Sequence, residues 1–370
     1  MRVLLCMYDL FAGGAETQFR MIAEGILAKQ EMELVLAFEN LDHDKKGKCF
    51  ELLKKWNVSY YDLAISTQHS LIDRIGLKTK LINLPKYRLK KKIENLLADA
   101  GKLDWVITYN YTFIPFVDIF HQFGCKILFS ERNNGEWLLK IKGATGWVKK
   151  CDAVTCNSKY ARDVLENQIG VNAEYIKNGI NLEQYQYEPG HNSPTSLLTV
   201  ARISPEKNQE LLIRGLLSER MKDVKVVLCG GVSSEEYFQQ IRALVEAGNL
   251  KSRVSMEGFQ ANMNQYYRRA GCVVLPSFYE GTPNAILEAY ACGVPVIASR
   301  ISMNEPLFRD KALLFDPNSV EEFITSYKYF RNLGKEKLQA LVEENYEYVK
   351  TEYDVSKMRN SYLKILFRKR

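Results

Sequence analysis

The stretch PSFYEGTPNAILEAYACGVPVIAS, residues 276–299, decides how this chain folds. A buried strand ends at Pro276, and the loop after it carries Glu280 and Gly281. Thr282 reads as a helix N-cap and Pro283 as the first helical residue, where its missing N–H leaves nothing unsatisfied. The helix runs to about Cys292, Gly293 closes it, and VPVIA opens the next strand. Strand, helix and strand joined by short loops make a parallel βαβ unit.

The same alternation extends outward in both directions. Short apolar strands are expected at 196–200, 225–229, 254–257, 272–276 and 294–298, with helical segments between them. An earlier block repeats the pattern, with strands at 3–7, 33–38, 105–108, 126–130 and 153–156, a glycine turn at 11–16 and a helix through 23–28. Between the blocks, KNGINLEQYQYEPGHNSPT (177–195) loses all periodicity and reads as a linker. A charged, helical tail follows from 320 to about 362. The expectation is α/β: two Rossmann-like parallel-sheet domains, 1–180 and 190–350, facing a cleft, with a helical tail at 351–370 able to pack back on the first domain.

Composition agrees with that size and class. The chain has 370 residues, 46% hydrophobic and 26% charged, which excludes a disordered chain and a small disulfide scaffold. None of its eight cysteines forms a C-x-x-C pair, and several sit in apolar runs, so they read as buried reduced thiols of a reducing cytoplasm. His43, His69, His121 and His191 share no ligand spacing with them, so no structural metal is expected. The apolar run before Asp9 is too short for a signal-peptide core, and no stretch approaches the ~20 apolar residues of a spanning helix.

Several segments carry chemistry. The start of the helix expected from Pro283 to about Cys292 offers an N-terminus suited to phosphate oxygens, with Gly281, Thr282 and Asn284 around it. Glu288, deeper in the helix, can accept both hydroxyl hydrogens of a vicinal diol. Read blandly, Glu280 is solvated and Glu288 is a surface residue. In LLTVARISPEKNQELLIRG (197–215) a strand leads to Arg202 and Lys207, two cations able to neutralise a diphosphate, although Glu206 could simply pair with Lys207. Gly230 in VVLCGG and Gly258–Phe259 in VSMEGF follow two further strands, where glycine permits close backbone approach.

These segments, in this order and spacing, resemble the C-terminal domain of retaining glycosyltransferases of the GT-B fold, in the family called glycosyltransferase family 4 or group 1. Glu280 and Glu288 match its E-x7-E signature, ARISPEKN its Arg/Lys segment, and FAGGAE (11–16) its N-terminal glycine loop. The resemblance implies that Arg202 and Lys207 hold the donor diphosphate with the backbone of Gly13 or Gly14 and of 281–284. It implies that Glu288 binds ribose, that Glu280 orients the transferred sugar, and that the base rests near Gly258–Phe259. It further implies a nucleotide-sugar substrate, retention of configuration, and no metal or other cofactor. The triplet Asp42–Asp44 sits among lysines and reads as a solvated loop rather than a metal motif.

The match falters at KILFSERNNGEW (126–137), where relatives carry a histidine and this chain has Glu131 and Arg132. That pair either serves the acceptor side or forms a structural ion pair. The SERNN segment resembles that of members building bacterial capsule and lipopolysaccharide glycans.

The net charge of +7 is concentrated. Between Arg74 and Lys92 lie eight basic residues and no acidic one, interleaved with Leu and Ile. Such a stretch suits either an anionic membrane surface or a solvated helix face. No nucleic-acid module accompanies it. The expected enzyme moves a hexose or N-acetylhexosamine, from a UDP-sugar rather than another nucleotide, to a glycan acceptor carried on lipid, in the cytoplasm or peripherally on the inner membrane face. Alternatives are a GDP-mannose-dependent mannosyltransferase and a UDP-sugar epimerase of similar architecture.

Overall fold

A computed structural model describes residues 1–368 except 9, 11–12, 42–46, 66–82, 110, 190–194 and 261, and at 48 and 83–86 the backbone alone. The chain divides into two compact units, Met1–Gly179 with Ser356–Arg370, and Ile180–Val355.

The first unit holds a parallel sheet of β1 (Arg2–Met7), β2 (Glu33–Phe38), β3 (Ser59–Asp62), β4 (Trp105–Thr108), β5 (Lys126–Glu131), β6 (Ala153–Cys156) and β7 (Glu174–Tyr175), in the order β3-β2-β1-β4-β5-β6-β7. Val3, Leu4 and Leu5 of β1 are all fully buried, because helices cover both faces of the sheet. The second unit repeats the design with β8 (Ser196–Val200), β9 (Lys225–Cys229), β10 (Val254–Gly258), β11 (Cys272–Leu275), β12 (Val296–Ser299) and β13 (Leu314–Phe315), in the order β10-β9-β8-β11-β12-β13. Both are Rossmann-like sheets, so the α/β class expected from the alternation is the one observed. In each, strand order reverses beside the first strand, between β1 and β4 and between β8 and β11. Side chains following the carboxyl ends of those strands surround the position where open parallel sheets bind ligands.

Some expectations need correction. The turn at 11–16 is shorter, because the helix Gly14–Leu27 already begins at Gly14; Phe11 and Ala12 lie outside the described residues. The strands β3, β7 and β13 escaped notice because two of them are two residues long and β3 is largely exposed at its edge. The tail is three helices, Val320–Arg331, Lys335–Glu352 and Val355–Leu366. The unit boundary falls at Gly179–Ile180, since Ile180 bridges to Asp354 and Tyr187 stacks on Tyr346 at 4.2 Å, which bind 180–187 to the second unit. All eight cysteines are free thiols, seven of them buried and Cys151 half-buried.

Candidate active site

In the second unit, β8 runs out at Val200 and the chain turns through exposed Arg202 to a short 3-10 turn, Pro205–Lys207. Asn208, in the left-handed conformation at φ 53°, ends that turn. Its side-chain amide donates to the carbonyls of Pro276 at 3.2 Å and Pro317 at 2.8 Å, which ties the β8 loop to the β11 loop. Phe278 N–H adds a bond to the Glu206 carbonyl at 2.9 Å.

This stitching brings Lys207 to Glu280. Lys207 Nζ donates to Glu280 Oε1 at 2.7 Å, with side-chain exposures of only 16% and 10%. Ser277 Oγ donates to the same oxygen at 2.6 Å, so Glu280 Oε2 keeps no partner among the described residues. Lys207 thus pairs with Glu280, not with its neighbour Glu206, and Glu280 is far from solvated.

The helix after the loop spans Asn284–Ala291, with Pro283 (ψ 80°) in the cap position. It therefore starts one residue later than the Thr282 cap implied, and Asn284 N–H bonds the Thr282 carbonyl at 2.9 Å. Gly293, at φ +74°, terminates it as expected. Glu288 lies in its second turn and is no simple surface residue: Tyr267 Oη donates to its Oε2 at 2.7 Å, and Tyr185 hydrogen-bonds it as well. Burial raises the Glu288 carboxyl above its ordinary range, and the two phenols pull it back.

Gly230 follows β9 at φ +153°, where an added Cβ would lie 1.9 Å from the Ala201 carbonyl oxygen. The close approach it permits is therefore between two backbone segments, the one after β9 and the one leading to Arg202. Gly258, at φ +66°, ends β10 with open space beside it, and Phe259 next to it is 48% exposed. At the usual spacing of parallel strands, that position is about 10 Å from the end of β8.

In the first unit, Gly13 caps the helix that Gly14 opens, its carbonyl accepting from Thr17. Tyr109, beyond β4, donates to Glu16 Oε1 at 2.7 Å, so these groups gather at the β1–β4 reversal. Glu131 ends β5 and is 1% exposed. Tyr111 Oη donates to its Oε2 at 2.9 Å, and Asn133 N–H to its Oε1 at 2.7 Å. Burial pushes the Glu131 carboxyl up, against the Asn133 amide, the Tyr111 hydroxyl and the Arg132 charge. Arg132 is 8% exposed, donates through Nη2 to Asn178 Oδ1 at 2.5 Å and stands 5.9 Å from the Phe19 ring. Its Nε and Nη1 are buried without partners, and no ion pair joins it to Glu131 among the described residues. The structural ion-pair reading of Glu131 and Arg132 is thereby set aside.

Asp42–Asp44 lies outside the described residues. Among the described residues there is no group of three His, Cys, Asp or Glu side chains spaced to hold a metal. Sequence reasoning missed Ser277, Tyr267, Tyr185, Tyr111 and Asn178. Only Ser277, three residues before Glu280, carried a signal that spacing could have used.

Residues 184–348, nearly the whole second unit, match the family model described as glycosyl transferases group 1. Over 312 residues and 79% of each chain, this protein is 23% identical to the N-acetylgalactosamine-N,N'-diacetylbacillosaminyl-diphospho-undecaprenol 4-alpha-N-acetylgalactosaminyltransferase of Campylobacter jejuni. It is 33% identical over 135 residues to the O-antigen chain mannosyltransferase B of Escherichia coli, 34% of this chain and 33% of that one. These matches support a group 1 glycosyltransferase. Several other curated relatives are matched over half of their length or less. Among solved structures, Anabaena HepE in complex with UDP-glucose superposes with a TM-score of 0.80 over 99% of both chains at 17% identity. The fold is therefore GT-B.

Proposed function

We propose that this chain is a retaining glycosyltransferase that moves a hexose or N-acetylhexosamine from a nucleotide-sugar, by preference a UDP-sugar, to a lipid-linked glycan. The observation that carries this reading is the Lys207–Glu280 pair at the strand reversal between β8 and β11. The bond between the anomeric carbon and the diphosphate breaks, and the diphosphate leaves with its electron pair. Lys207 and Arg202 stabilise the charge that develops there, work that a metal ion does elsewhere, so transfer should persist in a chelator. Glu280 Oε2 accepts from hydroxyls of the transferred sugar, and Glu288 holds the ribose. Glu131 and Arg132 serve the acceptor, whose hydroxyl oxygen bonds the anomeric carbon while its proton passes to an oxygen of the departing diphosphate.

The UDP preference draws support from the structural neighbour solved with UDP-glucose, and the lipid-linked acceptor from the Campylobacter relative. The mannosyltransferase relative favours a second reading, with GDP-mannose as donor. A thermal-shift comparison of UDP, UDP-sugars, GDP and GDP-mannose separates the two, since a ligand bound only by the folded state raises the midpoint. Glu280→Gln and Lys207→Ala are each expected to lower the release of nucleotide diphosphate by on the order of 10²- to 10³-fold while the protein stays folded. Wild-type turnover in both variants overturns the assignment.

The basic stretch is proposed to dock on an anionic membrane at the inner face. In the helix Asn83–Ala100, Ile93, Leu96 and Leu97 are buried, while Tyr87, Arg88, Lys90 and Lys91 are exposed. Lys92 bonds the carbonyls of Leu63 and Ala64. Arg74, Lys78 and Lys80 lie outside the described residues, as does the side chain of Lys86. Among the described residues no helix is long and apolar enough to cross a membrane. Flotation with phosphatidylglycerol vesicles should weaken strongly in Arg88→Glu/Lys90→Glu/Lys91→Glu; equal flotation of that variant, or none by the wild type, rejects the docking.

A further inference from the structure

We infer that Tyr267 and Tyr185 are positioning residues that set Glu288 to read both hydroxyls of a ribose, so that they determine selectivity for ribonucleotide over deoxyribonucleotide donors. The inference rests on the donor reading of Glu288 given above.

The physical basis is the capacity of a carboxylate. An ionised carboxylate offers about four acceptor sites on its two oxygens. Here two phenol hydroxyls already donate to it, Tyr267 Oη at 2.7 Å to Oε2 and Tyr185 through its own hydrogen bond. That leaves two sites, the number a vicinal diol needs. Tyr267 is fully buried, and the Tyr185 ring stands edge-on to it at 6.4 Å and 73°, so the donors are locked by packing before any ligand arrives. Each tyrosine comes from a different part of the unit. Tyr267 ends the short helix Asn264–Tyr267, and Tyr185 caps the 3-10 turn Leu182–Gln184. Their convergence on one carboxylate follows from tertiary packing alone.

Their second effect is on charge. A protonated carboxyl would use one of its sites as a donor and could no longer accept from two hydroxyls. Burial favours that protonated form, and the phenols oppose it. The Tyr267 phenol stays protonated and able to donate, since burial and the Glu288 charge push it well above the ordinary tyrosine range. A carboxylate whose other acceptor sites are held by two packed phenols rejects a ligand lacking one hydroxyl, because an acceptor site is then left unfilled.

The test measures dissociation constants of UDP, 2′-deoxy-UDP and 3′-deoxy-UDP by calorimetry for the wild type, Tyr267→Phe, Tyr185→Phe and Glu288→Gln. The wild type should favour UDP over either deoxy ligand by about tenfold or more, and each Phe variant should lose most of that preference. In the Phe variants UDP binding falls on the order of tenfold, while the deoxy ligands change by less than about twofold. Equal weakening toward all three ligands, or wild-type discrimination in both Phe variants, overturns the positioning role even where Glu288→Gln weakens UDP. Unchanged UDP binding in Glu288→Gln overturns instead the donor reading of Glu288 on which it rests. Should Tyr267→Phe fail to fold, Tyr185→Phe, whose ring is only half-buried, decides alone.

Discussion

Glu131 is a carboxyl whose ionisation the fold opposes by burial. It sits at 1% exposure with a Tyr111 hydroxyl and an Asn133 amide on its oxygens, yet burial still dominates and its carboxyl titrates above the ordinary range. Between the unfolded and the folded values the native protein holds the extra proton. The contribution to stability is complete below the unfolded value and disappears as pH rises through the folded one. Glu131→Gln removes this titration, so its urea midpoint relative to wild type should improve steadily as pH rises out of the ordinary carboxylate range. A pH-independent difference would contradict the burial account. Arg132 beside it is a buried guanidinium whose Nε and Nη1 nitrogens have no hydrogen-bond partner among the described residues. Residues of these types after a β-strand were legible as candidates in SERNN. Which oxygen or nitrogen each would bond was not, because Tyr111 and Asn178 reach them from separate loops.

At the scale of elements, the strand-loop-helix unit at 276–299 was readable because its signals are local: an apolar run, a proline near the helix start and a glycine at φ +74° after its end. The β8 and β9 loops depend on a contact that sequence does not announce. Gly230 lets its loop pass against Ala201, and no side chain fits there. Gly230→Ala should therefore cost about 3 kcal/mol or more in urea unfolding, because the Cβ would meet fixed backbone at a strained φ. Gly231→Ala, with nothing within 4 Å of the new Cβ, should change stability by less than about 0.5 kcal/mol. Equal effects at the two positions would show that the loops yield. In sequence the two glycines look equivalent; the distinction is one of tertiary clearance.

At the scale of the molecule, the C-terminal helix Val355–Leu366 belongs with residues that precede it by hundreds of positions. Tyr362 Oη lies 2.9 Å from Ser130 Oγ and 3.4 Å from Thr155 Oγ1, Trp105 Nε1 donates to the Leu366 carbonyl, and Arg359 binds Glu24 and the Met21 carbonyl. Ser130 and Thr155 are fully buried, so Tyr362→Phe leaves at least one hydroxyl unpaired. The expected loss is about 1–3 kcal/mol in the unfolding of the first unit, and a change below about 0.5 kcal/mol would show that the helix is held by apolar contact alone.

By itself the sequence determined the class of fold and the residue types of the candidate site. Both rest on local properties: apolar runs of strand length, glycine and proline at helix ends, and charged residues just past strand ends. Only the tertiary structure decided which of those residues meet. Lys207 and Glu280 are 73 positions apart, and their pairing depends on β8 and β11 lying side by side across the strand reversal. Tyr267 and Tyr185 reach Glu288 from two further segments that carry no motif. Hydrogen bonds and burial act over a few ångströms in space, and a single sequence records which neighbours are adjacent along the chain, not which are brought within that distance by packing.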